Sequence, residues 1–293
     1  MQFAVGILKS NSSVEKFYWT GNSLHSTEDA CKLIDAILEH PKISDVNLWG
    51  SLSENINPYV PVKRLFGGRG SDTLLEVNLA RNSIITNGDR CISDFLSTNP
   101  PLEKLHLDRG ITDDDALHIA LSLQLNTNLR YLGLSGNKLT KKGKSAMYRL
   151  SVFGQNQSDL SEVEPVCKAN LNAVSGANHT CGIWGISNLN KDFINDGKKS
   201  AKSNRARKIL WLLEKRQRGG CIISELESTF PEDCIGLVPH VFACINTYST
   251  ELSNAYSTNK PWKRCLWLLF ELTRGWKTLR VVSGSEVGCS CEA

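Results

Sequence analysis

The sequence predicts an α/β solenoid: short parallel strands stacked in chain order on the concave side, helices on the convex side, and a mainly helical C-terminal region. Three observations predict it. An eleven-residue pattern, apolar at its first, fourth, sixth and eleventh places, recurs through the first half of the chain. A helical pattern follows each copy. The copies start at 14, 43, 74, 102 and 129, so they step by 29, 31, 28 and 27 residues, the length of one strand–turn–helix unit.

The clearest copy runs from Leu129 to Leu139. Leu132 and Leu134 alternate with Gly133 and Ser135, as in a strand with one buried face. Gly136 and Asn137 then turn the chain. An asparagine pointing into such a turn can bond the backbone groups that the turn leaves unpaired. Val14 to Leu24 repeats the pattern through Phe17, Trp19 and Asn22, and Leu74 to Ile84 does so through Val77, Leu79 and Asn82. Asn22, Asn82 and Asn137 are therefore expected to form an inward ladder. Two copies depart from it. Ile43, Val46 and Leu48 keep the strand, but Ser51 takes the asparagine's place. Leu102, Leu105 and Leu107 keep it too, but one residue is missing after Arg109, so Gly110 and Ile111 close the turn. These two turns are expected to be the soft points.

Taken in order, the chain opens with Phe3 to Leu8, which reads as the end of a helix ahead of the first strand. No strand or polar cap comes before it, so further repeats or a partner are expected to cover this end. Thr27 to Glu39 is a helix, capped by Ser26 or Thr27, with Glu28 and Asp29 in its first turn. Ala30, Ile34, Ile37 and Leu38 follow helical spacing, and Pro41 stops it. Ser51 to Val62, with Pro58 and Pro61, and the run Gly67-Gly68-Arg69-Gly70 read as a loop returning to the strand at Leu74. The glycine run lacks the Lys-Ser/Thr and the helix of a phosphate-binding loop. Thr86 to Leu96 and Thr112 to Leu125 read as helices. Asp113, Asp114 and Asp115 crowd the second helix start, where the helix dipole accounts for three acids without a metal. Parallel strands joined this way need right-handed crossovers, and their repetition curves the array.

After Leu150 the pattern blurs, and Gln155 to Asp159 reads as a loop. A last copy places Cys181, Trp184 and Ile186 at the apolar places, starting 52 residues after Leu129. From Lys191 to Gly220 there are ten Lys+Arg and three Asp+Glu. The core of that run is Lys198, Lys199, Lys202, Arg205, Arg207 and Lys208. It reads as a solvated loop and helix surface in preference to a nuclear-import or nucleic-acid patch. Arg205 to Arg216 is a helix candidate with Ile209, Leu210, Leu212 and Leu213 inward, followed by Gly219-Gly220. Cys234 to Ile245 and Pro261 to Arg274 are two more. The expected division is a repeat domain over 1–190 and a basic and helical region over 191–293.

The composition is that of an ordinary globular protein, 41% hydrophobic and 22% charged, with a formal charge of +4. No apolar run approaches the roughly 20 residues of a membrane span. Phe3 to Leu8 is too short for a signal peptide. The ten cysteines are scattered, several at apolar places of the repeats. They read as reduced residues of an intracellular, cytoplasmic protein, with a nuclear location as the alternative that the basic segment offers.

The eleven-residue pattern with its intervening helices resembles the ribonuclease-inhibitor-like class of leucine-rich repeats over residues 1 to about 150, and more loosely to about 190. The tail, with Asn178-His179-Thr180, Arg207-Lys208-Ile209 and Leu237-Val238-Pro239-His240-Val241, is similar to tails of uncharacterised repeat proteins of unicellular algae. The resemblance implies a horseshoe that binds other proteins, usually without chemistry of its own. Some members of the class regulate enzymes, so a GTPase-activating role is the alternative it offers.

No catalytic constellation accompanies the repeats. None of His25, His40, His106, His118, His179 and His240 stands at a spacing to Cys, Ser or carboxylate that predicts a nucleophile and base. Cys289-Ser290-Cys291 lacks two further zinc ligands. The expectation is a non-catalytic scaffold with no cofactor and no metal, binding an unidentified protein partner. Nucleic acid through residues 198–208 is the least favoured reading. The concave face would carry the contact, through Lys16 and Tyr18, Asp45, Asn47 and Trp49, Glu76 and Asn78, Lys104, His106 and Asp108, and Tyr131. Tyr18, Trp49 and Tyr131 are the rigid aromatic anchors such interfaces favour.

Overall fold

The computed structural model describes residues 1–52, 56–154, 171–186 and 195–218. Six three-residue strands form one parallel sheet in chain order: β1 (Lys16–Tyr18), β2 (Asp45–Asn47), β3 (Glu76–Asn78), β4 (Lys104–His106), β5 (Tyr131–Gly133) and β6 (Gly182–Trp184). Helices α1 (Gln2–Ser10), α2 (Thr27–Leu38), α3 (Tyr59–Gly67), α4 (Cys91–Ser97), α5 (Asp113–Leu125) and α6 (Lys141–Ala146) alternate with them. Each of these helices packs on the next. The last widens into π-helical turns over Met147–Val152. Two further helices are α7 (Leu171–Gly176) and α8 (Ala201–Arg218). The chain divides into two compact units, Met1–Val163 with Gly176–Asn204, and Glu164–Ser175 with Arg205–Ala293; the sheet belongs to the first.

Phe17, Val46, Val77, Leu105, Leu132 and Ile183 pair in one row through the middle of the sheet. All but Phe17, on the edge strand, are buried. Ile43, Leu74, Leu102 and Leu129 before the strands, and Leu48, Leu79, Leu107 and Leu134 after them, are buried beneath the same row. Each such side chain contributes about 1.5–3 kcal/mol. At the β1 end, Phe17 and Trp19 are half-buried and stack with centroids 6.2 Å apart, and Phe3 is 82% exposed.

Caps fall where side-chain chemistry demands. Ser26 Oγ accepts from Asp29 N–H at the start of α2. Thr112 and Asp115 form a capping box at α5. All three adjacent acids there have structural partners: Asp115 accepts from Thr86 Oγ1, Asp113 from the N–H and hydroxyl of Thr140, and Asp114 pairs with Lys142 at 3.1 Å.

Helix α3 lies where the prolines suggested a loop. Pro58 is its N-cap and Pro61 falls in its first turn, where a missing N–H breaks no helical bond. Conversely, α4 starts at Cys91 and not at Thr86, because Asn87 (φ 51) and Gly88 (φ 84) adopt left-handed turn geometry. The expected helix over Arg205 to Arg216 lies within α8. The helix candidates at 234–245 and 261–274 and the cysteine pair at 289–291 lie outside the described residues. Among the described residues no helix is long and apolar enough to cross a membrane, and Cys31 and Cys91 are free thiols.

The last repeat corrects the register read from the sequence. Ile183, not Trp184, pairs with Leu132 at the centre of the sheet. The reason is a ladder at the corners before the strands, which the sequence reading missed. Asn11, His40, Asn99 and Asn126 each stand three residues before a repeat start, and Ser71 holds the same place without a side-chain hydrogen bond among the described residues. His40 Nε2 bonds Asn11 O (2.6 Å), and Asn126 Nδ2 donates to Leu96 O (2.9 Å). Asn178 continues the ladder, donating to Leu123 O and Asn126 O at 2.7 Å each. Six residues separate each earlier corner from its strand centre, but only five separate Asn178 from Ile183. A slip of one residue turns every side chain of a strand to the other face, so Trp184 points outward.

The turn ladder is also more specific than expected. Asn82 Nδ2 donates to Leu48 O (2.8 Å) and Leu79 O (3.0 Å), and its Oδ1 accepts Leu52 N–H at 2.9 Å. Asn137 does the same for Leu107 O, Leu134 O and Ile111 N–H. Asn22 does not belong to the ladder. It is exposed and makes no side-chain hydrogen bond among the described residues, because β1 is the sheet edge and no earlier turn lies beside it. Nor is Ser51 an unsupported gap. It is fully buried, its hydroxyl donates to Trp19 O, and its carbonyl accepts Leu24 N–H at 2.7 Å. Four residues carry the chain from Leu48 to Leu52, as from Leu107 to Ile111, against five in the other three turns. Short and long turns therefore alternate, and the asparagines of the long turns close the short turns before them.

Candidate aromatic docking face

Three-residue strands turn two positions each to the face opposite the apolar row. Strand pairing sets them in two files: Lys16, Asp45, Glu76, Lys104, Tyr131 and Gly182, then Tyr18, Asn47, Asn78, His106, Gly133 and Trp184. Neighbouring strands lie about 4.8 Å apart, so side chains along a file touch.

The charges in the first file neutralise one another. Lys16 Nζ is 3.2 Å from Asp45, and Lys104 Nζ is 2.7 Å from Glu76. Asp45, expected to project outward, is instead buried, and the Tyr18 hydroxyl donates to it at 2.8 Å. That hydrogen bond raises the Tyr18 pKa, the separate hydrogen bond from Lys16 to Asp45 raises the Lys16 pKa, and the one from Lys104 to Glu76 raises that of Lys104. The expected contact asparagines have local work. Asn47 Oδ1 accepts Trp49 N–H and Asn78 Oδ1 accepts Ala80 N–H, each at 3.0 Å, so both fix the strand exits. Asp108 holds the neighbouring turn by accepting Ser135 N–H. Trp49 is half-buried beneath the Arg81 guanidinium, 4.8 Å from its ring centroid. The sequence reading missed Arg81.

What the face leaves open is aromatic. His106 and Tyr131 lie with ring centroids 4.7 Å apart, and Tyr131 and Trp184 stack at 6.0 Å with an interplanar angle of 19°. The three rings run across β4, β5 and β6. Gly133 makes this possible, since a Cβ there would stand 3.2 Å from both His106 Nδ1 and Tyr131 Cε1. Trp184 remains 53% exposed, and Tyr18 at the other end of the file 57%. Trp184 is the residue that sequence reasoning lost through the register slip; the shortened interval after Asn178 was its only signal.

Burial beside Tyr131 holds the His106 pKa below its ordinary value, against the opposing carboxylate of Asp108. The folded chain thus binds this proton less readily than the unfolded chain. The stability involved is present above the unfolded pKa of about 6.5 and is lost as pH falls through the lower folded value. The expected result is a larger drop in urea midpoint between pH 7 and pH 5 for the native chain than for His106→Asn; equal drops would remove the assignment.

The basic segment is not one surface. Lys198, Lys199 and Lys202 are exposed, Arg205 and Arg207 are half-buried, and Lys208 is buried. Comparison with known protein families, with characterised proteins and with solved structures finds no match to this chain.

Proposed function

We propose that this chain is a leucine-rich repeat protein of the ribonuclease-inhibitor-like class, and that it works as a non-catalytic scaffold binding another protein through the open face of its sheet. The observation that carries the reading is the His106–Tyr131–Trp184 stack with its half-exposed indole. Large aromatic side chains held rigid before binding lose little entropy on contact and dominate interface energetics. The mutually paired charges beside the stack are suited to the polar rim of such an interface. Paired asparagine turns along the array support the repeat assignment.

The test begins with proteins retained from source-organism lysate by the full chain, followed by affinity measurement with each purified partner. Tyr131→Ala/Trp184→Ala is expected to weaken binding by about 2 kcal/mol or more, roughly thirtyfold. Lys104→Ala, which removes a charge already paired within the face, is expected to change it by under about 1 kcal/mol. A partner that binds the double variant as tightly as the native chain would show that the contact lies elsewhere.

A further inference from the structure

The corner ladder has one member that can change charge. Its other places are held by Asn11, Ser71, Asn99, Asn126 and Asn178, which do not titrate; the second is His40. In Asn126 and Asn178 the carboxamide divides its two ends. Oδ1 accepts the N–H two residues on, from Asn128 and from Thr180, at 3.1 Å each. Nδ2 of Asn178 donates to the backbone O of the preceding corner, Asn126, at 2.7 Å. The imidazole of His40 copies both bonds. Its Nδ1 accepts Lys42 N–H, two residues on, at 3.2 Å, and its Nε2 meets Asn11 O, the preceding corner, at 2.6 Å.

These partners fix the state of the ring. A carbonyl oxygen only accepts, so Nε2 carries the proton. A backbone N–H only donates, so Nδ1 keeps its lone pair. The neutral imidazole alone offers one donor and one acceptor. A second proton would set one N–H against another at Lys42 and place a charge in a site that is 6% exposed. No ion pair compensates it. The charged groups on the packed elements are Lys9 at the end of α1, Glu39 and Lys42 beside the ring, and Arg69 and Asp72 on the next corner, where Gly70 lies against Leu38. All five are exposed, and none bonds the His40 ring among the described residues.

We propose that His40 is an acid-sensitive latch on the first repeat: protonation of its ring opens the corner between the first and second repeats, while the asparagine corners further along stay closed. Histidine is the side chain whose charge ordinarily changes between pH 5 and 8. The closed corner needs the neutral ring. Its stability is therefore present above histidine's ordinary value of about 6.5 and is lost on acidification below it. When the ring turns to water the bond to Asn11 goes with it, so the loop between α1 and β1 loses its side-chain tie to the second repeat. The latch stands on the corner and not on the ring stack, so it does not depend on the docking reading of the open face.

The experiment is amide hydrogen exchange on the full chain at pH 7 and pH 5, corrected for the intrinsic rate at each pH. In the native chain, protection of residues 2–19 is expected to fall tenfold or more between the two. Residues 117–134, which span the Asn126 corner, should lose less than a third as much. His40→Asn and His40→Gln supply an amide donor and acceptor that do not titrate. At least one of them is expected to match the native protection at pH 7 and to keep it at pH 5. His106→Asn should leave the acid loss of residues 2–19 in place, which separates the latch from the pH dependence of the open face. Nitrogen-15 shifts of the His40 ring need no substitution: the neutral ring protonated at Nε2 is expected at pH 7, and its titration must coincide with the loss of protection. Equal native protection at both pH values, the same acid loss in an amide variant that is closed at pH 7, or a ring protonated at Nδ1 at pH 7 would each overturn the latch. So would a loss of protection at a pH where the ring does not titrate, whichever variants fold.

Discussion

Asn82→Leu is expected to lower the urea midpoint more than any other single side-chain change in the turns. The native amide serves Leu48 O, Leu79 O and Leu52 N–H, all enclosed between two repeats, and Asn82 itself is 2% exposed. Leucine has nearly the same volume but leaves Leu79 O and Leu52 N–H without partners and Leu48 O with the Ser51 N–H alone. Each unsatisfied buried group costs about 1–3 kcal/mol, so a loss of roughly 2 kcal/mol or more is expected from a domain whose whole stability is of order 5–15 kcal/mol. Because each repeat is stabilised by its neighbours, the loss should spread along the array. Asn137→Leu removes the same three bonds from a half-exposed site, where water can replace part of them, so a smaller drop is expected. Asn22→Leu is the matched control: the same change in the same turn position, with no bond to lose. Midpoints for Asn82→Leu and Asn22→Leu that coincide in urea titration would refute the ladder as a source of stability.

Gly110→Ala is expected to be comparably damaging, through the backbone and not through a lost side chain. Gly110 has φ +115, and a Cβ there would overlap the backbone N and O of Ile84 in the preceding turn. Backbone atoms of a packed turn cannot move aside as the end of a flexible side chain can. Strain of this kind typically amounts to about 1–3 kcal/mol before the clash is counted. Gly136→Ala sets the scale for strain alone. It has φ +71 and meets only the flexible Arg109 side chain, at 3.4 Å. The alanine variant at 110 should therefore melt well below the variant at 136. Similar Tm values for the two would mean that the short turn is not pressed against Ile84 as described.

The period, the buried row of the first five repeats and the caps of α2 and α5 were legible in the sequence because each depends on residues close together in the chain. Apolar alternation marks a strand face, and Ser26 and Thr112 stand next to the helices they cap. Asn82 and Asn137 were legible too, since each repeats at the same place in a recognisable turn. Asn22 has the same local sequence and a different fate. Its amide needs a preceding turn, and whether one lies beside it is a property of the sheet edge. Ser51 looked like a gap because its partners, Trp19 O and Leu24 N–H, belong to the repeat before it.

The candidate face divides the same way. That Tyr18, His106 and Tyr131 look away from the apolar row follows from strand periodicity, which the chain carries locally. Tertiary structure alone decided which of the expected residues remain available. Asp45 is buried under Tyr18, Trp49 lies beneath Arg81, and Asn47 and Asn78 bond their own strand exits. It also decided that Trp184 joins the stack, because the length of chain between Asn178 and β6 is measured against a sheet already in place. The physical reason is the range of the interaction. A pattern along one strand is written in consecutive residues, whereas the partner of each outward side chain sits one repeat away, 27 to 31 residues along the chain in the first five repeats and 51 from Leu132 to Ile183.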